Sequence, residues 1–367
     1  MMELTSDAVR PDLAGASVAA VVPALLTRRD EPWIPAPARV AEQVVLLVLD
    51  GLGWNSVQEH RDIMPTVAAM EGDAITTVLA STTSTALTSI ATGLAPAQHG
   101  VVGYRMLVDG DVLNVLRWTV RDGHRPPDPF DVQRHTAFLS REVPVITRAE
   151  FRTTGFTQAS LRGGRFIGWH TTATLIQHCV KAVARGERFV YAYYPGVDTV
   201  AHEFGLQDEF YRRELAFVDR MIDELRAALP LEAALVVTSD HGQVHLERDG
   251  WIEVPDLVAY TTAMAGDGRF RYLYARQGEG AKLVSAARDA VGGLAWVASR
   301  RELLDSGLLG SGATGTIPSR IGDVVLAARS PVAFVDPALP NEVRLRSGHG
   351  SLTADEMLVP FVAARGG

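Results

Sequence analysis

The stretch 44-VVLLVLDGLG-53 decides the fold. Its six-residue run of valine and leucine has no polar alternation, which is what a strand covered on both faces requires, and such strands belong to parallel sheets flanked by helices. The run closes on Asp50-Gly51, so a carboxylate is expected at the C-terminal edge of the strand, where open α/β sheets bind their ligands. The same grammar recurs at 189-FVYAYYPGVD-198 and 234-ALVVTSDHG-242, whose acidic residues are Asp198 and Asp240. Three strands thus carry three carboxylates to one rim.

Between these runs the apolar residues change to helical spacing. Stretches 85–92, 171–185 and 208–229 read as helices, the last with Phe210, Leu215, Val218, Ile222, Leu225 and Leu229 on one face. Strand-helix-strand alternation on this scale predicts an α/β fold with a doubly wound, mostly parallel sheet. Residues 250–340 read as an inserted α+β lobe. FRYLYAR (270–276), EGAKLVSAARDAVG (279–292), LAWVA (294–298), RELLDSGL (301–308) and DVVLAA (323–328) alternate strand and helix there. The chain is read as one catalytic domain, 1–367, carrying that lobe. The stretch 120–165, rich in Arg, Pro and Gly, is expected to form irregular walls near the site.

Bulk composition narrows the partners. The formal net charge of -8 argues against a nucleic-acid partner, which needs a basic face. The single cysteine, Cys179, excludes an internal disulfide and any multi-cysteine zinc site. In TLIQHCVKAV it reads as a small buried hydrophobe. The N-terminal MMELTSDAVRPDL lacks the order of a signal peptide, and no apolar run approaches the roughly 20 residues of a membrane helix, so a soluble, cytoplasmic protein is expected.

The chemistry lies in Asp50, Asp198, His202, Asp240, His241 and His349. Each alone has an ordinary structural reading, but together they exceed what one tetrahedral ion needs. Asp198 and His202 are four apart, so a helix would turn both to one side. His349 stands between two glycines that permit close backbone approach. Carboxylates with imidazoles suit zinc, or manganese as the harder second choice, and two such ions would clamp attacking and leaving oxygens. The hydroxyl cluster Ser81-Thr82-Thr83-Ser84-Thr85 opens a predicted helix. There a hydroxyl is either a simple N-cap or a nucleophile activated by metal.

VLDGLG (48–53), TTSTALTSIATGLAPAQHG (82–100), GVDTVAHEFG (196–205), TSDHG (238–242) and SGHGSLTADEMLVPF (347–361) together resemble the type I phosphodiesterase and nucleotide pyrophosphatase branch of the alkaline phosphatase superfamily. The resemblance implies that Asp198, His202 and His349 hold one zinc, and that Asp50, Asp240, His241 and Thr83 surround the other. It also implies attack by Thr83 on the phosphorus of a small phosphorylated substrate and a covalent phospho-threonine. Thr83 follows from aligning backwards from Thr92-Gly93-Leu94, with Thr82, Ser84 and Thr85 as neighbours. One departure stands out. Phosphodiesterase members place an asparagine a few residues after the HG that follows this helix, where this chain has Tyr104 and then Arg105. A tyrosine hydroxyl would replace one donor, whereas Arg105 would favour a dianion. The TFPNH run of nucleotide pyrophosphatases is likewise replaced by TSTAL (83–87). Alternatives are therefore a phosphomonoesterase or a phosphonate hydrolase on the same metal shell, and a non-catalytic binding protein on the same fold.

Overall fold

The computed structural model describes residues 4–367, so the first three residues of the N-terminal stretch lie outside the described residues. Gln43–Leu49 forms the middle of a seven-stranded sheet. It pairs in parallel with Phe189–Tyr194 on one side and with Ala233–Thr238 on the other. The first flank continues, still parallel, through Pro144–Arg148 to Arg165–Trp169 at the edge. On the second flank the C-terminal strand Leu358–Arg365 runs antiparallel to Ala233–Thr238 and to the other edge strand, Glu71–Thr76. Its direction follows from its approach. The chain reaches it from the carboxylate rim, through the short helix Ala354–Met357, and must run back down the sheet.

The central strand buries alternate residues in two different layers, as its unbroken apolar run requires. Leu46 and Val48 pack with Val18 of the helix Val18–Thr27 and with Ala86 and Ile90 of the helix Thr83–Thr92. Val45, Leu47 and Leu49 face Leu175 and Cys179 of the helix Thr172–Ala184, and Leu215 and Val218 of the helix Glu209–Ala228. Cys179 is a buried core residue, and burial pushes its thiol up to about 12. Phe210 departs from expectation. It stays 57% exposed, stacked on Phe204 at a 4.2 Å centroid distance, while the next residue, Tyr211, takes the buried place.

The stretch 120–165 is more regular than its composition suggests. It supplies the strand Pro144–Arg148, the helix Gly155–Ser160 and the start of the edge strand, because short apolar segments such as Val143–Ile146 find partners already aligned in the sheet. A second, antiparallel sheet runs in the order Thr261–Asp267, Phe270–Ala275, Val324–Ala328, Ala295–Ser299. One face packs Leu273, Val324 and Leu326 against Leu283 and Ala287 of the helix Gly280–Val291. The other sends Phe270, Tyr272 and Val325 into the same core as Leu46. Arg269 anchors this sheet to the C-terminal segment through a buried double bond to Glu356, Nε to Oε2 at 3.0 Å and Nη2 to Oε1 at 2.8 Å. Among the described residues no helix is long and apolar enough to cross a membrane.

Candidate active site

Asp50 leaves the end of the central strand, and its backbone N–H still donates to Tyr194 O in the parallel ladder at 3.0 Å. Gly51 turns the chain with φ +75, and a Cβ there would meet Gln243 Nε2 at 2.4 Å, so only glycine fits the approach. Asp198 does not end its strand, which stops at Tyr194. It sits in the first turn of the helix Gly196–Phe204, with His202 one turn later. Asp240 and His241 occupy the bend after Ala233–Thr238. His349 arrives from the C-terminal segment and is followed by Gly350 at φ +123.

The six side chains fall into two groups, Asp198 with His202 and His349, and Asp50 with Asp240 and His241. In the first, His202 Nε2 lies 3.3 Å and His349 Nε2 3.9 Å from Asp198 Oδ1. In the second, His241 Nε2 lies 3.4 Å from Asp50 Oδ1 and 3.6 Å from Asp240 Oδ2. The rings of His241 and His349 stack at 3.8 Å, so the groups are neighbours. Thr83 Oγ1 lies 3.1 Å from His241 Nε2 and 3.4 Å from Asp50 Oδ1. Thr83 is the first residue of its helix, where backbone N–H groups lack intrahelical acceptors and favour an anion. Ser84 Oγ and Thr85 Oγ1 are buried without partners.

These donors fit divalent cations. Each imidazole gives its Nδ1 proton to a backbone carbonyl: His202 to Ser347 O at 3.1 Å, His349 to Ser81 O at 3.0 Å, His241 to Gly242 O at 2.9 Å. On a neutral ring that leaves Nε2 unprotonated and pointing inward, the outer arrangement that metal-ligating histidines show. His202 Nε2 and His349 Nε2 face each other at 3.3 Å, close enough for one cation to meet both. Asp240 Oδ2 is buried with no hydrogen-bond partner, which is costly unless a cation meets it.

The electrostatics agree. Burial, and then the charges of Asp240 and Asp198, raise Asp50 well above the usual carboxylate range, and burial raises Asp240 too. Burial also works to raise Asp198, but the imidazoles of His202, His349 and His241 outweigh it and hold its carboxyl low. His349 is held well below the usual histidine value by burial and then by His241 and His202. For His202, burial opposes protonation, and Asp198 beside it wins and raises it.

A cavity of about 550 Å³ opens on Thr83, His202 and His349, and Tyr104 and Asn114 line it. Asn114 Nδ2 donates to Tyr104 Oη at 2.7 Å, and its Oδ1 accepts from Arg117 N at 3.0 Å, which settles which way the amide faces. The Tyr104 hydroxyl proton is therefore left to give elsewhere, and burial raises its pKa, so it stays protonated. Arg105 is placed differently from expectation. Its Nη1 lies 2.5 Å from buried Asp336, so its charge is already neutralised, and the arginine lining the cavity is Arg117. A second cavity of about 330 Å³, walled by Leu87, Phe151, Phe156 and Tyr193, also reaches Thr83 and Asp50.

Several supporting residues gave no sequence signal. Tyr193 Oη donates to Asp50 Oδ2, and Gln243 Nε2 donates to Asp198 Oδ1 at 2.9 Å. Asp267, from the second sheet, lines the larger cavity with its carboxyl raised to about 7, chiefly by burial. Only alternation could have hinted at Tyr193, which faces the opposite side of its strand from Ala192. Two other histidines stay outside both groups. His99 accepts from Val101 N at 3.1 Å and meets Ser89 Oγ at 2.8 Å, and His245 pairs across a short strand with Ser347.

Comparison with known proteins reaches the same architecture. Murine ectonucleotide pyrophosphatase / phosphodiesterase 5 superposes with a TM-score of 0.65 at 15% identity, covering 88% of this chain and 87% of that one. The human protein of the same name gives 0.65 at 15%, covering 88% and 89%. Phosphonoacetate hydrolase from Sinorhizobium meliloti, solved with phosphonoformate, gives 0.63 at 20%, covering 89% and 91%. At these identities the likeness establishes the fold. Curated protein sequences give no match. The sequence profile of the type I phosphodiesterase / nucleotide pyrophosphatase family matches residues 44–352, a span that begins with the central strand and takes in all six candidate ligands and Thr83. The chain belongs to the type I phosphodiesterase / nucleotide pyrophosphatase family and is a hydrolase of phosphoester bonds.

Proposed function

We propose that the protein hydrolyses a phosphodiester or nucleotide pyrophosphate bond through a covalent phospho-threonine on Thr83, at a site holding two divalent cations. The observation that carries this reading is the position of Thr83 Oγ1, at the N-terminus of a helix and 3.1 Å from the inward Nε2 of His241. Asp198, His202 and His349 would hold one ion, and Asp50, Asp240 and His241 the other, with Thr83 beside it. Zinc suits these donors best and manganese second. Bound there, the cations would supply Lewis acidity that lowers the pKa of the threonine hydroxyl and offsets the charge of the phosphoryl group.

The remaining work falls to the chain itself. The Thr83 Oγ1–P bond forms as the P–O bond to the leaving group breaks; the threonine proton passes to water, and water returns a proton to the departing alkoxide or phosphate oxygen. A water molecule then attacks phosphorus, the P–Oγ1 bond breaks, and the threonine hydroxyl is restored. Helix N–H groups and the Tyr104 hydroxyl donate to non-bridging oxygens. We assign Arg117, rather than Arg105, to the substrate, and the apolar cavity beside Thr83 to its organic part. An inactive threonine-to-alanine form of the murine protein was solved with AMP, which supports both the threonine and a small phosphorylated ligand. We treat residues 250–340 as a lobe inserted in a single catalytic domain.

A phosphonate or monoester substrate is the second reading, favoured by Tyr104 in place of an asparagine. The test compares kcat/KM for bis-p-nitrophenyl phosphate and p-nitrophenyl phosphate on zinc-loaded protein, with a chelator control. Faster turnover of the diester is expected. Faster turnover of the monoester would replace the phosphodiesterase reading with the second one, and no turnover of either would remove both ester readings and leave only the phosphonate, to be assayed on phosphonoacetate.

A further inference from the structure

On the outer side of the helix Gly155–Ser160 lies a groove of about 330 Å³ in which two arginines stand against aromatic rings. Arg152 Cζ sits 4.5 Å from the centre of the Phe166 ring, and Arg162 Cζ sits 4.4 Å from that of Phe130. A guanidinium within cation–π distance of a ring is held in place while its N–H donors remain able to meet phosphate or carboxylate. Thr157 and Gln158 add a hydroxyl and an amide to the same lining, and no carboxylate is among the lining residues. Nη1 of Arg162 is buried with no hydrogen-bond partner. A buried cationic donor without an acceptor is costly, and a protein with a net charge of -8 has carboxylates to spare for neutralising it. Two guanidiniums that line one groove and make no ion pair among the described residues offer an anion a site.

The groove is also next to the chemistry. Thr157 and Leu161 line both this groove and the apolar cavity that reaches Thr83 and Asp50. We propose that Arg152 and Arg162 form a second anion subsite, which takes a phosphate or carboxylate group lying beyond the reacting phosphorus. The anion is either a remote group of the substrate, a form that rests on the phosphodiesterase reading, or a free phosphate ion, which does not.

The first test is independent of turnover. Full-length protein treated with chelator is titrated with inorganic phosphate by calorimetry, since without cations Asp50, Asp198 and Asp240 oppose an anion at the catalytic site. Wild type is expected to bind, and the double variant Arg152→Gln, Arg162→Gln to bind about tenfold more weakly or worse, through loss of two charge-assisted contacts. Equal affinity in the two, or no binding to wild type, overturns the proposal. A thermal melt verifies that the variant folds. If it does not, Arg162→Lys replaces it, expected to bind several-fold more weakly because it keeps the charge but loses the planar fork. The second test identifies the source. Metal-loaded protein is assayed on a nucleoside p-nitrophenyl phosphodiester with and without a second phosphate on the sugar. A rise in KM in the variant confined to the doubly phosphorylated substrate identifies the substrate as the source, and equal changes for both, with phosphate affinity still lost, identify free phosphate.

Discussion

Thr83 is one of five consecutive hydroxyl residues, and what singles it out is where its oxygen lands. Ser84 and Thr85 are turned into buried positions without partners, whereas Thr83 Oγ1 meets Asp50 and His241. Thr83→Ala is therefore expected to lower kcat on an aryl diester by about a thousandfold or more, while zinc stoichiometry measured by atomic emission stays near wild type. Loss of metal together with activity would instead make Thr83 a ligand without a nucleophilic role. Tyr104→Phe removes one hydroxyl, both as a donor to substrate and as the acceptor of Asn114 Nδ2. A hydrogen bond to a charged group contributes about 1.5–3 kcal/mol, so kcat/KM should fall roughly tenfold to a hundredfold on the diester. An unchanged value would mean that the hydroxyl serves only to accept from Asn114.

At the scale of elements, the site depends on segments that the sheet alone does not position. His349 and Asp267 of the second sheet both approach the rim near the junction of that sheet with the C-terminal segment, and the Arg269–Glu356 pair closes that junction. Glu356 also accepts from Ser351 N at 3.1 Å and from Thr353 Oγ1 at 2.8 Å, so one carboxylate organises the turn just after His349. Removing one partner of a buried ion pair leaves the other charge uncompensated. Glu356→Gln should thus cost about 3–5 kcal/mol of stability in urea unfolding. Because the turn carries His349, zinc affinity should fall with it. A variant within about 1 kcal/mol of wild type would show that the anchor is dispensable.

For the molecule as a whole, cations and stability are linked. Asp50 and Asp240 have folded-state pKa values raised by burial and by neighbouring carboxylates, so in metal-free protein their ionisation opposes folding. The sign follows directly. A carboxyl raised in the folded state costs nothing below its unfolded value, and its penalty grows as pH rises through the folded value. Chelator-treated protein should therefore lose stability as pH rises above the ordinary carboxylate range, while zinc-loaded protein does not, so the gap in Tm between them widens with pH. A ligand at a thousand times its Kd adds about 4 kcal/mol, enough to read by calorimetry. A gap that stays constant as pH rises would show that these carboxylates do not meet the metal.

What the sequence determined by itself was the order of the chemistry along the chain and the sheet that carries it. A short apolar run with no alternation, rich in β-branched and aromatic residues and closed by turn residues, reads as a doubly covered strand, and three such runs ending near acids place Asp50, Asp198 and Asp240 at one edge. Spacing likewise sufficed for Asp198 and His202, because four residues in a helix is a local rule. Tertiary structure decided what depends on approach between distant segments. It gave the cavity Arg117 and tied Arg105 to Asp336, 231 residues away, and it turned Asn114 onto Tyr104 across a hairpin. It buried Tyr211 instead of Phe210, and it paired 144–148 into the sheet although that stretch's composition resembles a loop. Local patterns report which face of an element is apolar. Which charge neutralises which, and which donor remains free for a substrate, is set only when elements far apart in sequence close on one another.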